Sequence, residues 1–99
     1  MLYSFEWDPI KAKENLRKHR IGFERAAEVF LDSLAMSIFD EEHSADEERW
    51  ITIGTDSSGR ALALVHTFLE ASAAECKIRI ISARKATRRE AKQYEETER

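Results

Sequence analysis

The run ALALVHTFL, at residues 61–69, constrains the fold of this chain more than any other segment. Its apolar side chains stand at both odd and even positions, so neither face of the strand that it predicts is polar. Such a strand is typical of the centre of a sheet that is covered on both faces. The run is interrupted by His66 and is far shorter than the roughly 20 apolar residues of a membrane-spanning helix. We therefore expect a soluble protein with this strand at the centre of its sheet.

Local signals elsewhere predict further strands and three helices. Asp8 followed by Pro9 marks the start of a helix, because an aspartate side chain can cap the free N–H groups of the first turn and proline lacks one. Apolar residues at helical spacing over 23–31 predict a second, amphipathic helix. Thr87 and Glu90 have the spacing of a capping box and begin the last helix. The predicted strands lie at residues 2–7, 34–39, 49–54, 61–69 and 77–82.

These elements follow one another in the order β-α-α-β-β-β-β-α, and a chain of 99 residues predicts a single domain, residues 1–99. We expect an α+β fold in which a curved antiparallel sheet of about four strands carries the helices on one face. In the strand at 77–82, regular alternation would place Ser82 on the face opposite Arg79. The turn at residues 55–60 contains Gly59, which is free to adopt positive φ.

Charge is distributed very unevenly along a chain whose formal net charge is -3. Residues 40–49 are strongly acidic, whereas residues 11–20 and 77–92 are strongly basic. Arg79 lies on a predicted strand, Arg84 at its end and Arg88 in the first turn of the following helix. Strand end and helix N-terminus together predict an anion site, because N–H groups and the helix dipole favour negative charge there. Alternatively the arginines pair with Glu90, Glu95 and the acidic loop; composition does not decide between the two.

No metal or cofactor motif is recognisable. The three histidines lie more than twenty positions apart, and Cys76 has no second cysteine for a zinc motif or an internal disulfide. The chain also lacks the glycine-rich loops that bind nucleotide phosphates. A lone cysteine predicts a reducing, cytoplasmic setting. His66 lies on the apolar central strand, where a single histidine is more often a buried core residue than a catalytic one. It could act as a proton carrier only if its side chain faced the arginines.

Five segments taken in order resemble the BrnT toxins, the ribonuclease half of type II toxin–antitoxin modules. The resemblance runs from Phe5 to about Glu96. The segments are FEWDPIKAKENLRKH, F-E-x-A-x-x-V-F, HSADEERWITIG, GRALALVHT and IRIISARKATRREAKQYEE. The resemblance implies a RelE-like fold and metal-independent cleavage of RNA, in which a ribose 2′-OH attacks the adjacent phosphate. The chain departs from the family at Arg20, where glycine is common, so either Arg20 is left-handed or the turn differs.

The resemblance also implies roles for individual residues. Arginines would hold the phosphate, Ser82 would donate a hydrogen bond there, and His66 would be the base, as the side chain with a pKa near neutrality. Tyr94 would either stack on a base or pack in the core. The implied catalytic set is Arg84, Arg79, His66, Arg60 and Ser82. The implied RNA-binding set is Arg88, Arg89, Lys85, Lys77 and Tyr94.

The implied partner is a BrnA-type antitoxin, a ribbon-helix-helix protein that neutralises the toxin. The toxin would reach operator DNA only through this antitoxin, in a 2:2 assembly, and free toxin would inhibit translation. No metal, cofactor or membrane is implied. The alternative is a catalytically inactive module whose basic surface only binds an antitoxin. DNA binding by the chain alone is disfavoured by its net acidity and by the lack of a helix-turn-helix pattern.

Overall fold

The computed structural model describes residues 2–70 and 72–97, with only the backbone of Glu70. The strands are β1 (Leu2–Glu6), β2 (Met36–Phe39), β3 (Trp50–Thr55), β4 (Ala61–Glu70) and β5 (Glu75–Lys85). The helices are α1 (Pro9–His19), α2 (Phe23–Ala27) and α3 (Arg88–Glu96), with short 3-10 helices at Glu28–Leu31 and Glu41–His43. In the part of the chain that the structure describes, no helix is long and apolar enough to cross a membrane.

The sheet has five strands in the order β1-β5-β4-β3-β2. β4 lies at its centre, as the apolar run predicts. The prediction of about four antiparallel strands was wrong, because β1 joins the sheet and runs parallel to β5, from Leu2 beside Glu75 to Glu6 beside Arg79. β1 joins the sheet there because the backbone N–H and C=O groups along the outer edge of β5 would otherwise have no strand partner.

Helices cover both faces of the sheet, not one face as expected. Successive residues of a strand point to opposite faces. Leu62 and Leu64 of β4 belong to the same buried cluster as Phe23 of α2. Ala63, between them, packs with Tyr94 of α3. The apolar residues at both parities of β4 are therefore explained by α1 and α2 on one face and α3 on the other.

Helix α1 begins as predicted and packs on the core through one small and one polar residue. The Asp8 side chain accepts a hydrogen bond from the Ile10 N–H at 2.8 Å and caps the helix. Ile10 and Leu16 are 68% and 51% exposed, whereas Asn15 is only 6% exposed. Ala12 packs against the core. The helix thus contacts the sheet through Ala12 and Asn15.

The second predicted helix is shorter than its periodicity indicates. Helix α2 ends at Ala27, and the chain then forms a 3-10 helix that ends at Leu31. Leu31 is 84% exposed. Asp32 follows, and its side chain accepts hydrogen bonds from the Leu34 N–H and from the Thr55 N–H, both at 2.9 Å. These bonds direct the chain towards the sheet and end the helix.

Candidate functional site

Six side chains that carry or can carry a positive charge line an open cleft of about 480 Å³ at one end of the sheet. They come from the end of α1 and the residue after it, from the turn before β4, and from the end of β5. We call this feature the basic cleft. Its lining residues are Lys18, His19, Arg20, Arg60, Arg84 and Lys85. The sequence predicted Arg60, Arg84 and Lys85; it did not place the other three.

Strand pairing explains why the turn and the end of β5 meet. β4 and β5 are antiparallel, with Leu62 opposite Lys85 and Ala63 opposite Arg84. Arg60, just before β4, therefore lies at the same end of the sheet as Arg84.

Asn15 brings the end of α1 to the same place. Its side-chain amide donates hydrogen bonds to the carbonyl oxygens of Ala83 at 2.9 Å and Ile21 at 3.0 Å. Its carbonyl accepts from the Ala83 N–H at 3.1 Å. Asn15 thus takes the place of a neighbouring strand beside Ala83, where β1 no longer pairs with β5. A polar residue at position 15, inside the predicted helix, was the only sequence signal for this contact.

Arg20 follows α1 in the left-handed conformation, with φ of 62°. Of the two possibilities predicted for an arginine at this position, a left-handed Arg20 is thereby confirmed. Its backbone N–H donates to the Leu16 carbonyl at 2.9 Å and closes the helix.

A β-bulge sets the faces of β5. Val65 pairs with Ser82 but His66 pairs with Ile80, so Ile81 is an extra residue. The extra residue reverses the alternation, and Ser82 and Arg84 share a face with Arg79. The prediction that Ser82 opposes Arg79 was therefore wrong. Ser82 lines a second cleft of about 180 Å³, which also contains Lys18 and His19 and so adjoins the basic cleft.

Arg84 is paired with a carboxylate of the same chain. Its Nη1 and Nη2 atoms donate to the two carboxylate oxygens of Glu90 at 2.7 and 3.0 Å. Glu90 also accepts from the Thr87 N–H at 2.8 Å and completes the predicted capping box. The hydrogen bonds from Arg84, followed by those from Thr87, outweigh burial and lower the pKa of Glu90 to about 2. The predicted anion site at the start of α3 is thus filled by Glu90, which is the alternative left open above.

Arg60 lies against a buried acid in the turn before β4. The side chain of Asp56 is fully buried, and its Oδ2 lies 3.5 Å from Arg60 Nε and 3.5 Å from the guanidinium Nη1 of Arg25. Burial acts to raise the pKa of Asp56, but hydrogen bonds from Ser58 and the Arg60 N–H outweigh it and lower the pKa to about 2. Asp56 therefore stays ionised and holds Arg60 at the cleft.

Two predicted basic residues lie outside the basic cleft. Arg79 is hydrogen-bonded to Glu47 of the acidic loop and lines a different depression with it. It stands five residues before Arg84, roughly 15 Å along the strand. Lys77 is further still, and its Nζ lies 3.9 Å from a carboxylate oxygen of Glu6. The structure therefore separates Arg79 from the phosphate site predicted around Arg84.

The remaining RNA-binding candidates are on α3. Arg88 and Arg89 are exposed on its first turn and are not among the residues lining the cleft. Tyr94 is only 8% exposed, and its hydroxyl donates to Asp32 at 2.6 Å. Tyr94 therefore packs in the core, and its predicted stacking on a base is not possible in this arrangement.

His66 does not face the arginines. It is fully buried, its Nε2 lies 2.5 Å from the Thr52 hydroxyl, and its ring packs against Phe30 and Phe68. Burial lowers its pKa to about 4. The prediction of His66 as the base was wrong, because a neutral, enclosed imidazole on the face of α2 cannot reach a phosphate in the cleft.

Metal ligands do not cluster at the cleft. Within residues 2–70 and 72–97, no group of three or more histidine, cysteine, aspartate or glutamate side chains is arranged to hold a metal ion. Cys76 is 8% exposed and packs in the core.

Fold and cleft together define a small α+β protein with an open cleft lined by basic side chains. The family model described as "Ribonuclease toxin, BrnT, of type II toxin-antitoxin system" matches residues 7–90, and the chain belongs to this family. The resemblance identified from the sequence is thereby confirmed.

A solved structure supports the fold. The chain is similar to the Brucella abortus ribonuclease toxin BrnT, whose crystal structure was determined at 1.1 Å resolution. The two chains are 24% identical with a TM-score of 0.65, over 89% of this chain and 100% of the Brucella chain. No curated protein matches this sequence significantly. The RelE-like description of the fold stays a prediction.

Proposed function

We propose that this protein is a metal-independent endoribonuclease that cleaves RNA in the basic cleft. The observation that carries the proposal is the convergence of six basic residues on one open cleft in a member of a ribonuclease toxin family. A ribose 2′-OH attacks the adjacent phosphate, and cations around the phosphate stabilise the negative charge that builds up in the transition state.

Arg84 and Arg60 are the proposed phosphate ligands. A guanidinium has five N–H donors in a fork that matches phosphate oxygens. Glu90 accepts two of those of Arg84, and the Lys85 carbonyl accepts weakly from one of the same nitrogens at 3.3 Å. The carboxylates of Glu90 and Asp56 thus hold the two guanidinium groups in place while leaving further N–H groups for an anion.

The other predicted residues have secondary roles in the proposal. Ser82 donates a hydrogen bond from the adjoining cleft. Arg88 and Arg89 contact the RNA backbone beyond the cleft. Arg79 and Lys77 lie further along β5 and act only on an RNA long enough to follow this face of the sheet.

Family membership supports a protein antitoxin as partner. We include in the proposal that the antitoxin is of the BrnA type and that free toxin inhibits translation. A 2:2 assembly would bind operator DNA through the ribbon-helix-helix antitoxin.

Cleavage of a short RNA by the purified protein in EDTA tests the proposal. Wild type should release fragments that end in 2′,3′-cyclic phosphate. Lys18→Ala combined with Lys85→Ala, inside the cleft, should lower kcat/KM at least 10-fold. Lys13→Ala combined with Lys92→Ala removes the same charge from exposed sites outside the cleft and should leave activity within about 2-fold.

A catalytically inactive, antitoxin-binding module is the second candidate. It is favoured by the pairing of Arg79 with Glu47 and of Arg84 with Glu90. Absence of cleavage by wild type, or equal loss in the two double variants, would reject RNA cleavage in the cleft; absence of cleavage together with tight antitoxin binding would support the module.

A further inference from the structure

Attack by a 2′-hydroxyl is accelerated by a side chain that takes its proton, and arginine cannot do so because it stays protonated. The structure describes all three histidines of the chain. His66 is enclosed in the core. His43 lies in the acidic loop, with Nδ1 2.9 Å from the Asp40 carboxylate. Only His19 lines the basic cleft.

His19 stands where the two clefts meet. It is the last residue of α1 and lines both the basic cleft and the adjoining cleft that contains Ser82. Its imidazole is exposed, and among the residues that the structure describes none is hydrogen-bonded to it. The ring can therefore turn towards a ribose whose phosphate lies against Arg84.

The charged groups that share these clefts with His19 are cationic with one exception. In the described part of the chain, Glu14, on the same helix, is the one acid that lines either of them. The cations are Lys11, Lys18, Arg20, Arg60, Arg84 and Lys85. A phosphate drawn in by this charge would place its neighbouring 2′-OH within reach of the imidazole.

We propose that His19 is the catalytic proton acceptor, an inference that rests on the proposed RNA cleavage. An imidazole nitrogen takes the proton of the 2′-OH as the 2′ oxygen bonds to phosphorus. The bond between phosphorus and the 5′ oxygen breaks, and the departing oxygen takes a proton from water. The products are a 2′,3′-cyclic phosphate and a 5′-hydroxyl, and the imidazolium then returns its proton to solvent.

His19→Gln tests this role, with His43→Gln as the matched control. His19→Gln should lower kcat at least 100-fold, within the range for loss of a general base, and change the Kd for a 2′-O-methyl RNA less than 3-fold. The wild-type rate should increase with pH, as expected of a reaction that needs an unprotonated base, and this increase should be absent from the variant. Added imidazole should restore part of the rate. His43→Gln should match wild type.

Other results would overturn the role. A His19→Gln variant with turnover within 3-fold of wild type excludes His19 as the base while leaving RNA cleavage established. Loss of RNA binding in proportion to turnover makes His19 a binding residue. His19→Asn, measured in parallel with the thermal unfolding of both variants, separates loss of the imidazole from loss of the fold. Absence of cleavage by wild type overturns the proposed function and this role together.

Discussion

The imidazole of His66 is one link in a hydrogen-bonded chain that runs from the core to the exposed Ser37. Its Nε2 lies 2.5 Å from the Thr52 hydroxyl, which in turn lies 2.7 Å from the Ser37 hydroxyl. Phe30 and Phe68 enclose the ring edge-on, with centroids 5.0 and 4.7 Å away. Because the ring is enclosed, its protonation in the folded state is unfavourable.

His66 should therefore make the free energy of unfolding depend on pH in the weakly acidic range. Burial lowers its pKa from 6.5 to about 4, so between these values the unfolded chain binds a proton that the folded chain does not. The free energy of unfolding therefore has its full value above about pH 6.5 and decreases as the pH is lowered. We expect wild type to lose on the order of 2 kcal/mol between pH 7 and pH 5, measured by urea unfolding at each pH.

His66→Gln should be less stable at pH 7 but should lose little further stability between pH 7 and pH 5. His43→Gln, in the acidic loop, is the control and should keep the wild-type dependence. An unchanged pH dependence in His66→Gln would show that another group causes the loss.

At the scale of elements, the turn between α1 and α2 carries both strain and charge. Arg20 has φ of 62°, a region that costs a side-chain-bearing residue about 1 kcal/mol. Arg20→Gly should remove this strain and raise the free energy of unfolding by about 0.5–1 kcal/mol, the gain being reduced by the greater freedom of glycine in the unfolded chain. Urea unfolding at pH 7 measures it. The same change removes a cation from the basic cleft, so RNA affinity should fall while stability rises.

Arg20→Ala separates the two effects. It removes the charge but keeps a side chain in the left-handed conformation. It should weaken RNA binding as much as Arg20→Gly does without a gain in stability. Equal stability of the two variants would mean that the turn is not strained.

Signals contained in a few neighbouring residues predicted their elements well. Asp8 caps α1, Thr87 and Glu90 form the capping box of α3, and Gly59 has φ of 84°. The bulge at Ile81 was not predictable in this way, because it exists only in the pairing of β5 with β4. Regular alternation therefore assigned Ser82 to the wrong face.

Across the whole molecule, the cleft is assembled by contacts between distant parts of the sequence. The basic character of residues 11–20 is visible in the sequence, but the hydrogen bonds of Asn15 to Ala83, which bring this segment close to Arg84, are not. Likewise, β4 is apolar at both parities, which indicated two covered faces, yet the sequence did not show that α3 covers the second. Local order was thus predictable, and the assembly of the site was not.

The salt dependence of RNA binding tests this assembly as a unit. Each phosphate that a single strand gives up to a protein cation contributes about -0.7 to the slope of log K against log salt. If Arg60 and Arg84 stay with their carboxylates, the lysines and the other arginine of the basic cleft predict a slope of about -2. These three cations are Lys18, Arg20 and Lys85. If Arg60 and Arg84 also bind phosphate, the slope approaches about -3.5.

A 2′-O-methyl RNA, which cannot be cleaved, allows the salt dependence to be measured by fluorescence anisotropy. Lys85→Ala should make the slope less steep by about 0.7, whereas Lys92→Ala, exposed on α3, should leave it unchanged. Equal slopes for these two variants would show that RNA does not bind in the cleft.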